Sequence, residues 1–100
     1  MADYVLSNKA DADLDGIYIF SYQTFGEARA DAYYQDLCER LNNLASNPHL
    51  GRAIDQVQTG LFCNQCARHI IFYTIEADGM FVVRILHDAM DVVRHISTDQ

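Results

Sequence analysis

The sequence has no apolar stretch of membrane length; its longest hydrophobic runs are short and are broken by Asp, Arg or His. A spanning helix needs about 20 largely apolar residues in a row, so no transmembrane segment is expected. The N-terminus MADYVLSNKA lacks the basic-then-apolar order of a secretory signal, and the expected location is therefore the cytoplasm. Positive charge is equally scarce. Lys9 is the only lysine, and 7 Lys and Arg stand against 14 Asp and Glu, giving a net charge of -7. Such a chain repels phosphates, which argues against general nucleic-acid binding. There is a single proline, Pro48, and neither an internal repeat nor a low-complexity segment.

What is present is the balance of a folded domain: 50% of the residues are hydrophobic and 21% are charged. One hundred residues support one domain, taken as residues 1–100, which can bury roughly 65% of the surface of its unfolded chain. The charge is uneven. Residues 1–50 hold eight acids against three Lys or Arg, whereas residues 51–100 hold six against four, together with His69, His87 and His95. Any positive surface is expected in the C-terminal half.

Asp3 to Ser7 is a short candidate strand, and Ser7 or Asn8 can cap a following helix by accepting a bond from an orphan N–H. Asp11, Asp13 and Asp15 would then lie near a positive helix N-terminus. Ala10, Leu14, Ile17, Tyr18, Ser21 and Phe25 recur at helical spacing up to Gly26, which predicts a helix of about 16 residues. A second helical pattern runs from Glu27 through Ala30, Tyr33, Tyr34, Leu37, Leu41, Leu44 and Ala45, and ends where Pro48 removes a donor. The two helices should form an antiparallel hairpin. Pro48 to Gly60 reads as a loop with room for a helical turn. Three strand candidates follow at Leu61–Asn64, Arg68–Ile75 and Met80–Leu86, the last two joined by a turn at Glu76–Gly79. His87 to Ile96 allows a short helix capped by Asp88. The fold class is α+β: an N-terminal strand, a helical hairpin laid on a mostly antiparallel sheet, and a short C-terminal helix or tail.

These residues resemble the ParE branch of the RelE/ParE toxin superfamily. The likeness rests on Ala10-x-x-x-Leu14-Asp15-x-Ile17, Asn47-Pro48-x-Leu50-Gly51-Arg52, the strand His69-Ile70-Ile71-Phe72-Tyr73, and Val83-Arg84-Ile85-Leu86-His87-x-x-Met90-Asp91. It implies a toxin of a bacterial toxin-antitoxin pair, made beside a ParD-like antitoxin whose C-terminal segment wraps and neutralises it. ParE-type toxins poison DNA gyrase by protein-protein binding, whereas RelE-type relatives cleave mRNA on the ribosome.

The loudest local signal is Cys63-Asn64-Gln65-Cys66-Ala67-Arg68-His69, a C-x2-C pair with a histidine close behind. Cys63, Cys66 and His69 supply three zinc-type ligands, and Cys38 or His87 would be a remote fourth. No second knuckle exists, and strand alternation should aim some of these side chains to opposite faces. In a cytosolic protein the thiols should also stay reduced. Ordinary structural cysteines are therefore expected, with metal and redox roles as the alternatives.

Catalysis on RNA would require groups that stabilise phosphate charge and move protons. Relative to RNA-cleaving members of the superfamily, His69 and Met90 stand where arginines are usual, and no tyrosine follows Tyr73. A His69–His87 acid/base pair is the enzyme alternative. The expectation is otherwise a non-enzyme without cofactor or metal. Its target-binding surface is assigned to Arg68, Arg84, His87, Met90 and Arg94. Antitoxin binding is assigned to the aromatic surface of Tyr18, Tyr22, Phe25, Tyr33 and Tyr34, with Phe20 nearby. Arg84 has a second reading, a stabilising ion pair to Asp88 or Asp91.

Overall fold

A computed structural model of the chain describes residues 3–77, 79–90 and 96. Strand β1 (Tyr4–Leu6) leads into helices α1 (Asn8–Phe25) and α2 (Glu27–Ser46), a single 3-10 turn (Pro48–Leu50), and strands β2 (Arg52–Ala53), β3 (Leu61–Cys66), β4 (His69–Glu76) and β5 (Gly79–His87). The sheet order is β1-β5-β4-β3-β2. Only the β1–β5 pair is parallel. The expected strand, hairpin and sheet are all present. Strand β2 was not expected: it is two residues long, inside the segment read as a loop, and too short to show a periodic pattern. The expected helical turn there is the 3-10 turn at Pro48. The expected helix over His87–Ile96 lies largely outside the described residues, as does Asp78 of the β4–β5 turn. No helix among the described residues is long and apolar enough to cross a membrane.

Local chemistry accounts for the boundaries. The Ser7 hydroxyl accepts the Ala10 N–H at 2.9 Å and donates to the Val83 carbonyl at 2.7 Å, so one side chain caps α1 and fastens it to β5. Gly26, at φ 94°, is the single residue between the helices, and its N–H closes α1 on the Tyr22 carbonyl at 3.0 Å. Helix α1 buries Ala10, Leu14 and Ser21, while α2 buries Ala30, Leu37, Leu41, Leu44 and Ala45. These pack with Cys66, Ile71, Tyr73, Met80, Val82 and Ile85 on one face of the sheet. The other face holds a second cluster of Ile54, Leu61, Cys63, Phe72, Leu86 and Ile96. Removing apolar surface from water in two layers, one on each face, is what fixes the strand register.

A bulge interrupts the β4–β5 ladder: Phe72 pairs with Arg84 and Tyr73 with Val82, leaving Val83 without an opposite number. Val83 consequently packs on the far cluster while Ile85 joins the helix-side cluster. Simple alternation would place Val83 and Ile85 on one face with Arg84 opposite. Arg84 instead meets α1, where Nε and Nη2 lie 2.7 and 2.9 Å from the Asp13 carboxylate. Asp13 also accepts the Ile85 N–H at 3.1 Å. Strand β1 ends at Leu6, so Ser7 and Asp13 take over hydrogen bonding to the outer edge of β5.

Candidate functional site

A concavity lies where the α1–α2 turn approaches the ends of β3, β4 and β5. The last two turns of α1 contribute Phe20, Ser21 and Phe25, and α2 contributes Arg29 and Tyr33. The β3–β4 turn adds Arg68, and His69 and His87 come from the adjoining strand ends. The groove encloses about 460 Å³. Its geometry follows from a tight turn: Cys66 and His69 face each other across β3–β4, and Ala67 takes φ 55° between them. His69 is also directly opposite His87 across β4–β5, with the rings edge to face at 5.4 Å.

Tyr33 reaches in from the helical hairpin. Its hydroxyl lies 2.6 Å from His69 Nδ1 and 3.3 Å from the Cys66 carbonyl. Burial chiefly raises the Tyr33 phenol above its ordinary range, so it stays protonated. Burial also lowers His69, with repulsion from His87 acting in the same direction and Asp88 and Asp13 opposing it. His69 is therefore neutral near pH 7. His87 accepts the Ala89 N–H at Nδ1, 3.1 Å away. The Arg29 guanidinium stacks over the Phe25 ring at 4.8 Å. Arg68 is exposed. The result is a groove with an apolar rim, two guanidinium groups and a pair of imidazoles.

The residues picked out from sequence divide differently in space. Arg68 and His87, assigned to the target, share this groove with Phe25 and Tyr33, assigned to the antitoxin. Met90 is 44% exposed beyond the end of β5 and does not line the groove. Arg84 is held by Asp13, 71 positions away and neither of the two expected partners, with only 14% of its side chain exposed. Arg94 and Asp91 lie outside the described residues. Tyr18, Tyr22 and Tyr34 form a separate aromatic cluster, with Tyr18–Tyr34 centroids 5.8 Å apart and Tyr18–Tyr22 centroids 6.3 Å apart. There Asp31 accepts the Tyr18 hydroxyl at 2.6 Å, which ties α1 to α2 and pushes that phenol up to about 12. From sequence Ser21 reads only as a position in the helical repeat, and Arg29 is not singled out. The four-residue interval between Phe25 and Arg29 was the available signal for the latter.

The C-x2-C pair is split by the sheet. Cys63 packs in the cluster on one face and Cys66 in the cluster on the other, each nearly buried. Burial pushes the Cys66 thiol up, away from the thiolate a metal would need. Among the described residues no group of three or more His, Cys, Asp or Glu side chains converges as a metal site.

Comparison with known proteins agrees with this architecture. Residues 4–92 match the family model described as the ParE toxin of the type II toxin-antitoxin system, parDE. Toxin ParE1 of Mycobacterium tuberculosis is 35% identical over 93% of this chain and 96% of its own length. Toxin ParE1 of Caulobacter vibrioides is 29% identical over 96% of this chain and 99% of its own. A solved structure described as the chromosomal ParDE TA system from P. aeruginosa shares the fold, with a TM-score of 0.75 at 21% identity over 87% of this chain and 96% of that one. With the sheet order, the helical hairpin and a family match spanning nearly every described residue in agreement, the chain belongs to the ParE toxin family of type II toxin-antitoxin systems.

Proposed function

We propose that this toxin acts by protein-protein binding, that its target is DNA gyrase, and that a ParD-like antitoxin neutralises it. The observation that carries the reading is the aromatic surface. Phe20, Tyr22, Phe25 and Tyr34 stand between 38% and 63% exposed on one helical hairpin, with Ile19 at 54%. Large apolar side chains exposed together mark an interaction surface. A partner segment that orders on binding is the economical way to cover them. The target surface is placed on the strand ends and tail, at Arg68, His87, Met90 and Arg94. Arg84 is left out because its guanidinium is committed to Asp13.

A second reading, ribosome-dependent cleavage of mRNA, draws on one observation: His69, His87, Arg68 and Tyr33 meet in one groove. Protein binding is favoured over it by the net charge of -7 and the single lysine, which oppose work among phosphates. The deciding experiment runs purified toxin in parallel through a gyrase supercoiling assay and an mRNA cleavage assay during translation. Lost supercoiling with intact mRNA is expected. Cut mRNA beside normal supercoiling would overturn the assignment.

A further inference from the structure

The groove at the strand ends has a charge opposite to that of the chain. Among the described residues its lining includes Arg29, Arg68, His69 and His87 but no Asp or Glu, on a molecule of net charge -7. Of the carboxylates nearest the histidines, Asp13 binds Arg84, while Asp88 lies 3.3 Å from His87 Nδ1 and accepts a hydrogen bond from Gln65 at 3.3 Å, so neither reaches the two arginines of the groove. Among the described residues, Arg29 is held by the Phe25 ring alone, and no carboxylate pairs with Arg68. The rim is apolar, since Phe20 and Phe25 are 63% and 53% exposed. Whole-chain charge alone favours a basic partner segment. The local field favours the reverse.

We propose that this groove docks a partner segment in which an aliphatic or aromatic anchor is followed closely by carboxylates, and that the segment is part of the neutralising antitoxin. The identity of its owner rests on the function proposed above; the chemistry of the segment rests on the groove. The anchor seats between Phe20 and Phe25, where apolar contact removes both rings from water. The carboxylates meet the guanidinium groups of Arg68 and Arg29, whose planar forks match a carboxylate in two-bond geometry. Phosphates would satisfy the same cations. They would leave the aromatic rim uncovered except by stacked bases, and would approach against the net charge of the chain.

The test uses the full chain and three probes: a short Leu- and Glu-containing peptide, the same peptide with Lys in place of Glu, and a single-stranded RNA oligonucleotide. Binding is read by titration calorimetry and by amide and imidazole NMR shifts. The acidic peptide should bind tightest, should shift the signals of Arg68, His69 and His87, and should weaken steeply with salt. Arg68→Glu and Arg29→Glu should each weaken it about tenfold, and the Lys peptide should recover binding to Arg68→Glu. Equal or tighter binding of the Lys peptide to the unmodified chain, or shifts that map away from the groove, would overturn the proposal; preferential binding of RNA in the groove would replace it with a nucleic-acid site. Co-purification with the adjacent antitoxin separates the two levels of inference. A complex that forms normally with Arg68→Glu and Arg29→Glu refutes this docking site and leaves the antitoxin reading standing. No complex with the unmodified chain refutes that reading, while the peptide titration still decides the groove.

Discussion

His69 concentrates several constraints in one ring. It closes the β3–β4 turn, faces His87 across the next ladder, and holds the Tyr33 hydroxyl of α2 at 2.6 Å. Burial and the neighbouring imidazole lower its proton affinity in the folded state relative to the ordinary value of 6.5. The sign follows from linkage: below 6.5 the unfolded chain takes up a proton that the folded chain refuses. This contribution to stability is thus present above 6.5, and is lost as pH falls from there toward the lowered folded value. Thermal melts across about pH 7.5 to 5 should show a declining midpoint, and His69→Gln should flatten the decline while keeping a side chain that can meet Tyr33. Parallel curves for the two proteins would remove His69 as the source. The pairing with Tyr33 was invisible in sequence because 36 residues separate the two, and nothing local signals a contact made by helix docking.

The tie between α1 and β5 shows how far periodicity carries and where it stops. The apolar repeat defines α1 and the β-branched runs define the strands, so both elements were legible. The bulge at Val83 was not, because it depends on how two strands match in register rather than on either strand alone. Without the bulge, Arg84 was assigned a neighbour in the tail. With it, Arg84 and the Ile85 N–H both converge on Asp13, 71 and 72 residues away. Asp13→Ala removes the bidentate partner and the acceptor for a backbone donor at the strand edge, and should destabilise the fold by about 2–3 kcal/mol in urea unfolding. Asp13→Asn keeps an acceptor oxygen and should cost less. A loss below about 0.5 kcal/mol for the alanine variant would mean the pair behaves like an ordinary surface ion pair. The motif Asn47-Pro48-x-Leu50-Gly51-Arg52 is explained at the same level. The Pro48 carbonyl accepts the Tyr73 hydroxyl at 2.6 Å, and a side chain at Gly51 would run into that hydroxyl and, at 2.9 Å, the Cys63 carbonyl.

Two apolar layers, one on each face of the sheet, hold the molecule together, and this arrangement settles what the cysteines contribute. Cys63 and Cys66 are three residues apart, an odd interval, so a regular strand sends them to opposite faces. Cys63 joins Leu61, Phe72 and Ile54, while Cys66 joins Leu37, Leu41 and Ile71. To bring both thiols to one ion, β3 would have to twist out of its ladder with β4 and expose part of both clusters, a cost that one tetrahedral site would have to exceed. The apolar layers already provide the stabilisation that a structural zinc supplies in small domains without a sufficient core. Strong chelation should accordingly leave the thermal midpoint and circular dichroism unchanged, and purified protein should carry no stoichiometric zinc by elemental analysis. Cys63→Ser and Cys66→Ser should each destabilise by burying a hydroxyl, about 1–3 kcal/mol, to an equal extent with and without chelator. One zinc per chain, lost on either substitution together with the fold, would show that the strand does rearrange around a metal and that the apolar layers do not suffice.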